Sequence, residues 1–107
     1  MSSHRVLWTA AARHDLEDIV RFIAVESMED ALRVLDRIER RCRTLDKLAD
    51  RGRVVPELSA VGVFAYREII ERPWRIVYRI DAGRTFVMAV LDARRNLAML
   101  LLERLAR

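Results

Sequence analysis

Cysteine, lysine and long apolar runs are all scarce in this chain of 107 residues. Cys42 is the only cysteine and Lys47 the only lysine. A single thiol can form neither an internal disulfide nor a cysteine-based metal site. The longest apolar runs, residues 86–91 and 97–102, have six residues each, whereas a membrane-spanning helix needs about 20. The sequence therefore excludes a disulfide-stabilised scaffold and a membrane span.

Glycine and histidine are equally sparse. The three glycines are scattered along the chain, which excludes a glycine-rich phosphate-binding loop. Only His4 and His14 are present, so no Ser-His-Asp or Cys-His arrangement can be proposed. We expect no metal and no cofactor. The first eight residues contain no apolar core of signal-peptide length, and the expected location is the cytoplasm.

The composition fits one globular domain over residues 1–107. Hydrophobic residues make up 52% of the chain and charged residues 34%. Disordered segments lack that much apolar material, because they cannot bury enough of it to offset the entropy of folding. A domain of this length is also typical of single folding units.

Positive charge is concentrated at one end of the sequence. Residues 1–65 carry 11 basic and 11 acidic side chains, whereas residues 66–107 carry 9 basic and 5 acidic ones. All the basic residues except Lys47 are arginine, which binds phosphate and carboxylate groups as a planar fork. A GC-rich genome would explain the preference for arginine but not its position. An anionic partner, or a partner protein with an acidic segment, explains both.

The first half of the chain predicts a strand and a helical hairpin. Residues 5–8 are rich in strand formers, and Thr9 can cap the helix predicted for residues 10–25. Ser27 opens a capping box before a second helix, predicted for residues 28–48 from apolar positions spaced by three and four. The short join makes the two helices antiparallel.

A break separates the hairpin from the second half. Gly52 lies near a helix C-cap position, where glycine is common. Residues 54–62 are predicted to form a loop, because Pro56 cannot donate a hydrogen bond within a central strand.

Beyond residue 62 the spacing of apolar residues changes from the 3.6-residue period of a helix to the two-residue period of a strand. Residues 64–70, 74–80 and 85–91 are predicted to form strands joined by tight turns, which gives an antiparallel meander. Residues 96–107 predict a final helix. The order β-α-α-β-β-β-α defines an α+β domain, with the helical hairpin packed on a mainly antiparallel sheet and a helix at the C-terminus.

Arginines and aromatic residues alternate along the predicted sheet. In the middle strand, Arg75 and Arg79 lie on one face and Trp74 and Tyr78 on the other. Arginine beside aromatic rings can hold phosphates and stack unpaired bases. The alternative is ordinary packing, with the aromatic rings in the core and the arginines in water. In the first view the C-terminal region is a positively charged docking surface for another macromolecule.

Several segments resemble the RelE/ParE toxin superfamily of type II toxin–antitoxin systems. They lie in the order of that family between residues 6 and 95. They read WTAAARHDL at residues 8–16, followed by Ile19, Phe22 and Ile23, then GRVVPEL at 52–58, YREI at 66–69, WRIVYRI at 74–80 and VLDARR at 90–95. The GRVVPEL and WRIVYRI segments are closest to the ParE branch.

This resemblance implies a small toxin with a helical hairpin on a mainly antiparallel sheet. It also implies a hetero-oligomer with a cognate antitoxin, whose C-terminal segment wraps the toxin and neutralises it. The family has two activities. RelE-like members cleave mRNA in the ribosomal A site, whereas ParE-like members inhibit DNA gyrase and have no known catalytic residues.

The residues favour gyrase over mRNA as the target. RNA cleavage without a metal needs a base, an acid and cations for the phosphorane charge. Arg67 and Arg79 could be the cations, but Asp92, which stands where some relatives keep a histidine, is ordinarily ionised and a poor acid. Nothing selects Glu57 or Glu68 as the base. The chain is therefore interpreted as a ParE-like gyrase inhibitor, with a RelE-like ribosome-dependent endonuclease or an inactive antitoxin-binding member as alternatives.

The resemblance and the charge pattern together predict a binding surface. Antitoxin tails in this family carry apolar and acidic residues, which suit a basic sheet beside an apolar helix. The residues predicted to bind the target or the antitoxin are Arg67, Trp74, Arg75, Tyr78, Arg79, Arg94, Arg95, Leu97 and Leu101.

Overall fold

A short strand leads directly into a helical hairpin. Strand β1 covers Arg5–Trp8, helix α1 covers Ala10–Ala24 and helix α2 covers Met28–Arg43. As predicted, the side chains of Thr9 and Ser27 cap the two helices, accepting the backbone N–H groups of Ala12 and Asp30. The computed structural model describes residues 5–94 and 96–105, except for the side chains at 97, 101, 102 and 105.

Helix α2 ends earlier than the sequence predicts. The predicted continuation to residue 48 is wrong, because a separate single turn, α3 (Leu45–Leu48), follows Thr44. The Thr44 hydroxyl donates to the carbonyl of Arg41 at 2.6 Å, a local bond that competes with helical hydrogen bonding. Cys42 and Leu45 are both buried. The helical spacing of apolar residues therefore continues across the break, and the sequence pattern does not reveal where α2 ends.

The expected loop after residue 52 contains two short elements. Strand β2 (Arg53–Val54) pairs antiparallel with the next strand, and helix α4 covers Pro56–Ser59 with its proline in the first turn. The loop prediction is therefore wrong for these residues, because a strand of two residues is too short to show a period. Gly52 is the C-cap residue of a single 3-10 turn, Ala49–Arg51, which confirms its predicted position, and its backbone is extended.

Three longer strands form the predicted antiparallel meander. They are β3 (Tyr66–Glu71), β4 (Trp74–Asp81) and β5 (Arg84–Asp92). The sheet order is β1-β5-β4-β3-β2, and β1 pairs parallel with β5. The prediction of a mainly antiparallel α+β domain is confirmed. Strand β3 begins two residues later than expected.

The sheet has a hydrophobic core on each face. The helical hairpin covers the larger one, where Ile38 and Cys42 meet Ile76, Tyr78 and Val87. The smaller core on the opposite face lies beneath α4 and contains Val55, Leu58, Val77 and Ala89. The alternation predicted for β4 is confirmed, because Ile76 and Tyr78 belong to one core and Val77 to the other.

Helix α5 (Leu97–Leu105) contacts α4 and is tied to α1. The Arg104 guanidinium donates to both carboxylate oxygens of Asp15, at 2.8 and 3.1 Å. The second of these oxygens also accepts the backbone N–H of Val90 at 3.0 Å. The predicted helix extended to residue 107, and its last two residues lie outside the described part. No helix among the described residues is long and apolar enough to span a membrane.

Candidate functional site

Arg75 lies at the centre of a buried ion-pair network. It projects from β4 toward α4 and is 7% exposed. Its two Nη atoms donate to the Glu57 carboxylate at 2.6 and 2.7 Å, and its Nε donates to Glu68 at 2.6 Å. The other Glu68 oxygen accepts Nε of Arg53 at 2.6 Å. This network attaches α4 and β2 to the middle of the sheet.

The network also shifts the pKa values of Glu57 and Arg75. The hydrogen bonds from Arg75 lower the pKa of the Glu57 carboxyl, and the bond to Glu57 is the main cause that raises the pKa of Arg75. Every nitrogen of the Arg75 guanidinium already donates to a carboxylate. Arg75 thus positions its neighbours, and its own donors are occupied.

Tyr78 and Arg67 hold the segment around Gly52 from the helical face of the sheet. The Tyr78 hydroxyl donates to the carbonyl of Ala49 and accepts the backbone N–H of Gly52, the latter at 3.0 Å. Burial raises the pKa of the Tyr78 hydroxyl. Nη1 of Arg67 donates to the Gly52 carbonyl at 2.7 Å. Tyr78 is therefore a core residue and not a stacking surface.

Arg79 lies at the other end of the sheet. It is half-buried near the β4–β5 turn, with Nη2 4.0 Å from Asp81. Its Nε is buried without a hydrogen-bond partner among the described residues. In the pairing of β4 with β5, Arg79 lies opposite Phe86 and Trp74 lies opposite Asp92. Phe86 and Asp92 are six positions apart along β5, which corresponds to about 20 Å.

The three residues considered for RNA cleavage therefore do not converge. Arg67 pairs with Tyr78 and faces the helical hairpin, whereas Arg79 faces the opposite side of the sheet. Asp92 is at the far end of β5. The carboxylates of Glu57 and Glu68, the candidate bases, are both bound by Arg75.

The predicted binding residues after β5 are only partly described. Arg94 is exposed, and its Nε and Nη2 donate to the Asp92 carboxylate at 2.9 and 2.6 Å. This contact raises the pKa of the Arg94 guanidinium. Arg95 and the side chains of Leu97 and Leu101 lie outside the described residues. The six described residues, Arg67, Trp74, Arg75, Tyr78, Arg79 and Arg94, are thus divided among both faces and both ends of the sheet.

One end of the sheet nevertheless gathers four arginines. Arg53, Arg72, Arg75 and Arg94 line an open cavity of about 690 Å³, called here the arginine cleft. The sequence interpretation missed Arg53 and Arg72. Arg53 belongs to the unpredicted strand β2, and Arg72 precedes Pro73 in the β3–β4 turn. Only the pairing of β2 with β3 could have revealed that Arg53 lines the same cavity as the other arginines.

A second cavity lies beside the first. It has a volume of about 530 Å³ and is called here the apolar groove, because Ile19, Phe22 and Ile23 of α1 form one wall and Trp74 and Leu91 another. Arg94 lines both cavities. Phe22 is 82% exposed, so its ring is accessible to a partner that enters the groove.

Comparison with known proteins agrees with this architecture. Residues 6–97 match the family model described as "ParE toxin of type II toxin-antitoxin system, parDE". A solved structure, "Chromosomal ParDE TA system from P. aeruginosa", contains a similar chain with 22% identity and a TM-score of 0.68, and the match covers 84% of this chain and 96% of that one. No curated protein matches significantly. The structural match confirms the predicted fold.

Proposed function

Because the chain belongs to the ParE toxin family of type II toxin–antitoxin systems, we propose that it inhibits DNA gyrase and is neutralised by direct binding of its antitoxin. The family match over residues 6–97 carries this proposal. A gyrase-directed toxin acts on a cytoplasmic enzyme, and we expect this protein to act in that compartment.

The geometry of the sheet supports a binding role over a chemical one. Metal-free RNA cleavage needs an acid, a base and cations around one phosphate. Arg67 and Arg79 face opposite sides of the sheet, and Asp92 is at the other end of β5. Glu57 and Glu68 are held by Arg75. A toxin that binds and blocks a protein needs no such convergence.

The predicted binding residues divide into two roles in this proposal. Arg79 and Arg94 keep solvent-accessible guanidinium surface and are proposed to contact the target or the antitoxin directly, together with Arg95, Leu97 and Leu101. The remaining ones, Arg67, Trp74, Arg75 and Tyr78, are proposed to shape the surface that those residues offer.

A DNA supercoiling assay with purified gyrase tests the proposal. Relaxed plasmid, ATP and gyrase are incubated with increasing amounts of the toxin, with and without a molar excess of its antitoxin. We expect supercoiling to stop at excess toxin and to recover when the antitoxin is added. Unimpaired supercoiling at toxin concentrations well above that of gyrase would contradict the proposal.

Programmed ribosomes provide the matched comparison. Primer extension on their mRNA detects cuts that a ribosome-dependent endonuclease would make. We expect no toxin-dependent cuts. Cuts that vanish in folded Arg67→Ala and Arg79→Ala variants would replace the gyrase proposal with the RelE-like alternative.

A further inference from the structure

The arginine cleft presents donors that the fold does not use. Arg53 donates to Glu68 through Nε alone, and its side chain is 62% exposed. Arg94 is 76% exposed, and its pair with Asp92 uses Nε and Nη2, which leaves Nη1 without a partner among the described residues. The guanidinium of Arg72 is exposed and has no hydrogen bond or ion pair within the described part of the chain. These groups surround the cleft, while the fully bonded Arg75 lies at its base.

The carboxylates that balance Arg53 and Arg75 lie behind them. Glu68 is 1% exposed and Glu57 is bound on both oxygens by Arg75. Among the described residues, no carboxylate lines the cleft itself. A ligand approaching from solvent therefore meets guanidinium groups, which form charge-assisted hydrogen bonds with carboxylate or phosphate oxygens.

From this arrangement we infer that the arginine cleft binds acidic side chains of the antitoxin, and that apolar side chains of the same antitoxin segment occupy the apolar groove. This inference rests on the proposed neutralisation by direct binding. It names a site at the β3–β4 turn, where Arg53 and Arg72 contribute as much as Arg94.

The walls of the two cavities favour a peptide over a nucleic acid. The cleft also has apolar walls, including Ile70 and Pro73, and the neighbouring groove carries the exposed ring of Phe22. Asp15, Asp18 and Asp92 line the groove together with Arg94 and Arg104, so the groove offers no run of positive charge to a phosphate backbone. The Trp74 ring is buried, so it offers no face for base stacking. An acidic segment with apolar neighbours fits both cavities at once.

Arg94 determines how such a segment would run. Because Arg94 borders both cavities, a chain passing over it can place a carboxylate on the cleft side and an apolar side chain on the groove side.

Isothermal titration of the purified toxin with its antitoxin tests this assignment. Arg72→Glu reverses one charge at the cleft and removes no contact of the fold. Arg13→Glu changes the net charge equally on exposed α1 surface outside both cavities. We expect Arg72→Glu to weaken antitoxin binding about tenfold at low salt and Arg13→Glu to change it less than about twofold. The difference should shrink at high salt.

A second pair of variants tests the groove. Phe22→Ser should weaken antitoxin binding with little change in thermal stability, because the ring is exposed. Val61→Ser removes a comparably exposed apolar side chain from the loop after α4 and should leave binding unchanged. Equal affinities for Arg72→Glu and Arg13→Glu, or for both serine variants, would overturn the inference.

Two further measurements separate this inference from the proposed function. If Arg72→Glu weakens binding of a short single-stranded RNA and not of the antitoxin, the cleft binds nucleic acid and the inference is wrong. Gyrase inhibition by the natural protein, measured without antitoxin, is the second measurement. If Arg72→Glu leaves the antitoxin affinity unchanged and the natural protein inhibits gyrase, the assignment of the cleft is wrong and the proposed function stands. If Arg72→Glu weakens antitoxin binding and the natural protein does not inhibit gyrase, the assignment of the cleft is supported and gyrase is not the target.

Discussion

The hydroxyl of Tyr78 occupies the space that a side chain at position 52 would need. A Cβ atom built on Gly52 would lie 2.1 Å from Oη of Tyr78 and 2.8 Å from the carbonyl oxygen of Glu68. The same hydroxyl accepts the Gly52 N–H at 3.0 Å. The glycine is therefore required for close approach between the loop and the sheet, since its backbone dihedrals are open to any residue.

Gly52→Ala should destabilise the protein by about 3 kcal/mol, because the backbone of β3 cannot move away from the added methyl group. Tyr78→Phe should lower the free energy of unfolding by about 2 kcal/mol, because it leaves the Gly52 N–H and the Ala49 carbonyl unpaired. Urea denaturation measures both changes. Tyr66→Phe is the control, since Tyr66 is partly exposed, and a loss there as large as in Tyr78→Phe would contradict the explanation.

Glu68→Gln should destabilise the protein by about 3 kcal/mol, because Glu68 is the buried carboxylate that Arg53 and Arg75 share. Glu29→Gln removes an exposed carboxylate from the first turn of α2 and should cost less than about 1 kcal/mol. Chemical denaturation of the two variants makes the comparison. Similar losses for both would show that the network contributes little to folding.

The unfolding free energy should fall below about pH 4.5, partly because of Glu57. Arg75 holds the pKa of Glu57 below its ordinary value of 4.5 in the folded protein, so the unfolded chain takes up this proton first as the pH falls. The stabilisation is complete above the ordinary pKa and is lost as the pH falls through the folded pKa. Glu57→Gln should weaken this pH dependence. If the unfolding free energy of that variant falls as steeply with pH as that of the natural protein, other carboxylates cause the pH dependence.

Cys42 should resist thiol reagents while the protein is folded. Burial raises the pKa of its thiol to about 12, and the thiolate is the reactive form. Reaction with iodoacetamide near pH 8 should therefore be slow in buffer and fast in urea. Equal rates in the two solutions would show that the helical hairpin opens readily.

The elements with strong periodicity were predictable from the sequence. Both helices of the hairpin, their caps at Thr9 and Ser27 and the three long strands follow from local patterns, because each element repeats its apolar spacing over several turns or pleats. The α2 boundary was not predictable, because Cys42 and Leu45 keep the spacing while Thr44 ends the helix.

The site was less predictable than the fold. Alternation correctly placed Arg75 and Arg79 on one face of β4, but it could not indicate that Glu57 and Glu68 would bind Arg75. That network depends on α4 and β2, which are too short to carry a period. For the same reason the sequence did not reveal Arg53 as a neighbour of Arg94.

The accumulation of gyrase–DNA cleavage complexes tests the central claim most directly. Gyrase and supercoiled plasmid are incubated with the toxin, then treated with detergent and protease to release linear DNA from any trapped complex. The account predicts linear plasmid in proportion to the toxin, and none when the antitoxin is present in excess. No linear DNA at any toxin concentration, together with toxin-dependent mRNA cuts in programmed ribosomes, would contradict it.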